Sequence, residues 1–183
     1  MTQELQKAAA ANARARRQKV IDLKKLDYND QVLYLNAKIT GASNTISLVD
    51  STTKKVNGIT NFDGNVLGLG KSFPISAMRV LYSNAGANET VANWQDKTTL
   101  PAELQNSVLT ITQNNNVLVS LPLTDLQNFA NKEFRSLATV PVIVDRSPFT
   151  ITIEMPKEAR LDAPVGKQCF FRLELKGIEI KSV

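Results

Sequence analysis

The sequence predicts an all-β fold of about eight strands, closed as an antiparallel two-sheet β-sandwich or a barrel, with the sandwich as the expected form, preceded by a basic helical arm. Three observations carry this expectation. Short β-prone runs recur along most of the chain and are separated by stretches rich in Gly, Asn and Ser. No strand-helix-strand alternation of the kind that builds a parallel sheet is present. The excess positive charge is confined to the first 25 residues.

Residues 1–27 form the predicted arm and residues 28–183 the body. In the leading 25 residues, Lys7, Arg14, Arg16, Arg17, Lys19, Lys24 and Lys25 stand against only Glu4 and Asp22. The whole chain holds 22 basic and 17 acidic groups, so everything after the leader is electroneutral. Residues 5–15 are rich in Ala, Gln, Lys and Arg with no Gly or Pro, which favours a helix. Their apolar positions are mostly alanine and form no wide stripe for docking on a core. Isolated helices of this length are marginal in water. The expectation is an arm that projects and becomes ordered on a partner. The seven cations suit an anionic partner, either the phosphates of nucleic acid, where each contact releases condensed counterions, or an anionic lipid surface. The plain alternative is a solvated or subunit-bridging extension whose charge is incidental.

The body is read as strands in order. Residues 31–40 and 45–49 are β-prone and flank Gly41-Ala42-Ser43-Asn44. Residues 51–70 are polar, punctuated by glycine, and read as loop with at most one short strand. Residues 73–82 form a longer strand, with Pro74 near its start, where a missing ladder donor is tolerated. A polar loop spans 83–99. Residues 107–113 and 117–123, joined by Asn114-Asn115-Asn116, make an antiparallel hairpin, because asparagine accepts the left-handed backbone that such turns need. Residues 123–134 hold the one short helix expected in the body, capped by Thr124 or Asp125. Strands at 140–145, 149–155 and 169–181 close the chain. In the last, Phe171, Leu173 and Leu175 alternate with Arg172, Glu174 and Lys176, the pattern of a half-buried strand, and Gly177 marks a bulge or bend.

Several classes of function are disfavoured. The chain has no histidine, the commonest general base and metal ligand near neutral pH. Its one cysteine, Cys169, lies in an apolar run and reads as a small buried hydrophobe; alone it builds neither a disulfide nor a zinc site. No phosphate-binding glycine loop, dinucleotide fingerprint or nucleophile elbow occurs; 64–70 is glycine-dense but reads as loop. Asp145 with Glu154, or Asp22 with Asp27, lack any feature that fixes a catalytic separation. Asp30 with Asp50 or Asp63 lack the spaced ligands of a calcium loop. Catalytic residues, cofactors, metal ligands and a small-molecule substrate are therefore not expected. No apolar stretch of about 18 residues occurs, and the start lacks the apolar core of a secretory signal, so synthesis in the cytoplasm is expected.

The order of parts resembles a known family. A short basic helical segment, then Phe73-Pro74-Ile75-Ser76-Ala77-Met78-Arg79-Val80-Leu81-Tyr82, Leu100-Pro101-Ala102-Glu103-Leu104, the hairpin around 109–121, and Phe170-Phe171-Arg172-Leu173-Glu174-Leu175-Lys176-Gly177 are together similar to the jelly-roll capsid proteins of tailless icosahedral bacteriophages. The likeness covers 20–183 as an arrangement of short motifs. It implies a jelly roll, a non-enzymatic virion shell subunit that self-assembles with copies of itself and other capsid subunits, and an arm facing the packaged genome or an internal membrane. Major capsid proteins of membrane-containing phages usually carry two jelly rolls in one chain. The 183 residues here hold one, which implies a single-jelly-roll shell protein or a minor capsid subunit.

Two other functions compete. A glycan-binding β-sandwich would use Trp94 as a stacking platform. A single-stranded nucleic-acid binder would need aromatic residues interleaved with basic ones on one face, which the neutral body does not supply.

Overall fold

The computed structural model describes residues 3–15, 26–94, 99–127, 133–163 and 165–182. After helix α1 (Gln3–Ala15) come strands β1 (Leu26–Lys38), β2 (Thr45–Val49) and β3 (Lys71–Ser83), then the short helix α2 (Ala102–Gln105) and the hairpin β4 (Val108–Gln113) and β5 (Asn116–Pro122). A second short helix α3 (Leu123–Leu126), then β6 (Arg135–Ser136), β7 (Val142–Val144), β8 (Phe149–Glu154) and β9 (Phe170–Ser182) complete the order.

The strands form two antiparallel sheets. In the first, β1 pairs with β9 and β9 with β3, while β6 and β7 pair in succession with the far edge of β3; in the second the order is β2-β8-β4-β5. Period-two alternation sends Leu33, Leu35, Phe73, Met78, Val80, Leu173 and Leu175 inward from the first sheet. Leu109, Ile111, Val119, Ile151 and Ile153 meet them from the second in one buried cluster. The chain is thus a β-sandwich, as its strand pattern predicts.

Local chemistry explains the best-defined elements. Asn114 and Asn115 take φ of 54° and 59°, the left-handed pair that a tight hairpin turn requires, so β4 and β5 close where expected. In β3 an extra residue, Ser76, falls between the pairs Ile75↔Gly177 and Ala77↔Lys176. The bulge expected at Gly177 therefore lies in its partner strand, and Gly177 is the flat surface against which it fits.

Other expectations are corrected. α3 starts at Leu123 after Pro122 and has no side-chain cap, so neither Thr124 nor Asp125 caps it; it ends at Leu126. α2 was not anticipated: Pro101 suits a helix entry, and Leu104 anchors the turn in the core. β1 begins at Leu26, inside the span assigned to the arm.

Candidate interaction surfaces on the two outer faces

α1 packs on β3, β7 and β9. Ala8, Ala9, Asn12 and Ala13 are its buried residues, and their spacing places them on one side of the helix. This docking corrects the expectation of a projecting arm. Alanine lets the helix axis approach the sheet closely, so proximity replaces side-chain bulk. Ser72 alternates with the inward Phe73 and so lies on the outer face, where its hydroxyl donates to Asn12 Oδ1 at 2.7 Å.

Of the seven cations in the leader, the structure places two. Lys7 and Arg14 are exposed on α1; seven residues apart, they share one side of the helix at a rise of about 10 Å. Arg16, Arg17, Lys19, Lys24 and Lys25 lie outside the described residues. Beside α1, a groove of about 690 Å³ runs over the same outer face toward residues 133–140. Glu4, Asp30 and Glu133 line it together with Lys7, Arg79 and Lys176, so it has no field of a single sign.

The middle of this face is held by a charge cluster that alternation alone does not reveal. Glu174 is 5% exposed and receives two guanidinium groups, Arg79 Nε and, at 2.6 Å, Arg172 Nε. Arg172 also donates to Asn36 Oδ1 at 2.9 Å, and Asn36 donates to Gly58 O at 2.8 Å, which ties the 56–61 loop over the strands. Each guanidinium lies against an aromatic ring: Arg79 over Phe134 at 4.5 Å and Arg172 over Tyr34 at 4.6 Å. Arg172 and Glu174 are legible in the sequence as outward residues. Their burial is not, because it depends on what covers them.

The opposite outer face has a different chemistry. One register row crosses all four strands of the second sheet as Ser47, Thr152, Thr110 and Ser120. In the next row the Thr112 and Thr150 hydroxyls are hydrogen-bonded at 2.7 Å. Glu154 is the one charged side chain among the described residues of these four strands. The two outer faces therefore differ, with α1 and its Lys7 and Arg14 on one and a hydroxyl-rich surface, charged only at Glu154 among the described strand residues, on the other.

Several of the remaining candidates are engaged in contacts within the fold. Trp94 is half-buried, and no described aromatic residue is exposed. Cys169 is buried and accepts the Tyr82 hydroxyl at 2.9 Å. Asp145 accepts from the Gly70 backbone at 2.7 Å. Asp50 accepts from the Thr52 hydroxyl at 2.7 Å and backbone at 2.8 Å in a turn, and these bonds hold its carboxyl below the usual range. Among the described residues no three acidic or cysteine side chains cluster as metal ligands. Compared with known proteins, the chain matches no family model and no curated sequence.

Proposed function

We propose that this chain is a shell subunit of a viral capsid, a single jelly roll whose basic N-terminal leader meets a polyanion inside the particle. The strand order supports the fold. Apart from the β4-β5 hairpin and the β6-β7 pair, successive strands switch sheets, and the resulting order, β1-β9-β3 with β6 and β7 against β2-β8-β4-β5, is compatible with the double Greek key of a jelly roll. The observation that carries the function is the segregation of charge: seven cations precede an electroneutral body, and the helix that begins the leader sits on one outer face. A shell subunit needs that asymmetry, because one face meets polyphosphate and the other meets solvent. Among the described residues no exposed aromatic side chain supports the glycan or single-strand readings.

The test is a variant with Arg14, Arg16, Arg17, Lys19, Lys24 and Lys25 all changed to Gln. Binding to duplex DNA, single-stranded DNA and anionic vesicles is titrated against salt, and particle formation is followed by light scattering. The expected result is a salt slope that shrinks by ~0.9 for each duplex phosphate no longer neutralised, with the body still folded. An intact protein that stays monomeric with every polyanion, or a variant with an unchanged salt slope, overturns the reading. Comparison of the DNA and vesicle titrations identifies the source of the phosphate.

A further inference from the structure

A sheet edge presents unpaired backbone donors and acceptors, and proteins guard it with charge, bulges or covering loops. Three of the edges here are guarded. Along β1, Asn36 N donates to Ile59 O at 2.7 Å and Asn61 N to Tyr34 O at 3.2 Å, so the 56–61 loop covers its 34–36 stretch, and Asp27 and Asp30 put charge on the earlier part. β2 is interrupted by a bulge between Ser47 and Val49 and runs into Asp50. β6 and β7 are two and three residues long.

β5 differs. It has seven residues and no charged side chain, and the whole stretch 104–124 is charge-free. The ladder phase shows which groups face out. Leu123 N donates to Ser107 O at 3.0 Å, which makes 107/123, 109/121 and 111/119 the bonded pairs with β4. Ser120 and Pro122 therefore direct their backbone groups away from β4, and the N–H that proline lacks falls on the open side. Among the described residues none bonds to the Ser120 backbone on that side. Leu118 is the extra residue of a bulge and Pro122 has no N–H to give, so these two guards confine the open pairing groups of β5 to Ser120 between them. Alongside lies a slot of about 220 Å³ whose apolar lining includes Leu118, Leu121, Leu137, Ala138 and Pro141. Arg135 at its rim is neutralised by Asp125 at 2.7 Å.

We propose that β5 is a self-pairing edge: it adds antiparallel to β5 of a second copy across a twofold axis at Ser120, joining two four-stranded sheets into one of eight. Each Ser120 N–H donates to the partner's carbonyl at the same position, and Leu118 comes opposite the partner's Pro122. A second copy is the occupant because two charge-free strands meet without repulsion, whereas a β1 edge would bring Asp27 and Asp30 of two copies together. A twofold axis makes such a contact isologous, so one edge satisfies its own twin. The slot seats apolar side chains arriving with the added strand. This goes beyond the shell reading and does not depend on it, since the dimer follows from the edge whether or not dimers build a shell.

The Ser120 side chain is exposed, so Ser120→Lys and Ser120→Glu leave the core intact, which thermal melts verify. In the dimer the two substituted positions face each other at about 5.5 Å between Cα atoms. The full-length protein and each variant are studied by sedimentation equilibrium from about 10 to 500 µM, a range that spans a weak dimer. The expected result is a dimer in the parent, at least tenfold weaker association in each single variant, and recovery when the two variants are mixed in equal amounts. A parent that is monomeric throughout overturns the proposal, as does a variant that dimerises like the parent or a mixture that fails to recover. Where larger particles form, their yield is read in the same three arms. Particles undiminished in both single variants discard the edge and leave the shell reading standing.

Discussion

The Ser72 hydroxyl donates to Asn12 Oδ1 across 2.7 Å, joining β3 to α1 where both residues are closed to solvent. Because the rest of the buried helix surface is alanine, this polar contact has a large share in holding α1 down. Asn12→Ala leaves the buried Ser72 hydroxyl without this partner at a cost of about 1–3 kcal/mol. The expected outcome is local. Amide exchange in residues 3–15 accelerates about 5- to 150-fold, while the melting of the body moves little. An Asn12→Ala protein with unchanged exchange in α1 would show that the bond does not secure the helix.

Glu174 accepts from two guanidinium groups whose side chains are 26% and 21% exposed. Glu174→Gln is expected to cost about 3 kcal/mol in urea unfolding, the lower end for a broken buried pair, because both arginines keep some water. Glu158→Gln is the control. Its partner Lys157 lies 3.9 Å away with both side chains more than four-fifths exposed, so no measurable change is expected.

Gly177 leaves no room for a side chain. A Cβ there would lie 2.2 Å from Pro74 O and 2.8 Å from Phe73 Cζ, and backbone cannot yield as a flexible side chain can. Gly177→Ala is expected to destabilise by more than about 3 kcal/mol or to prevent folding. Gly64→Ala meets nothing within 4 Å and bears only the left-handed strain of its φ of 81°, about 1–2 kcal/mol. Comparing the two melts separates collision from strain.

Burial, followed by the hydrogen bond to Cys169, pushes the Tyr82 hydroxyl well above its ordinary pKa of 10.0. Above that value the unfolded chain sheds the proton while the folded chain keeps it. The native state then binds more protons, and unfolding free energy falls as pH rises. Stability is therefore fully present below about pH 10 and declines above it. Tyr82→Phe is expected to lose stability at pH 8 yet show a shallower decline between about pH 10 and 11.5. Some decline remains, because burial also raises Tyr28. Equal slopes in the two proteins would rule out Tyr82 as a source.

Much of the architecture is legible in local pattern. The asparagine turn places β4 and β5, and the alternation through 171–176 separates core residues from outer ones before any contact is known. α2 and β6 escape notice because four and two residues are too short to show a period. α1 reads correctly as helical and incorrectly as undocked. A row of alanines carries no apolar stripe, and only the facing surface of β3 reveals that small size is what permits contact.

By itself the sequence determines where strands run, which side of a strand each residue occupies, and the gathering of net charge into a leader. These follow from periods of a few residues and from composition. Tertiary structure alone decides what covers each face: α1 over Ser72, Phe134 over Arg79, the 56–61 loop along β1, and nothing described along the open side of Ser120. Such coverage depends on contacts between residues dozens of positions apart, and packing complementarity between distant segments leaves no periodic trace in either of them.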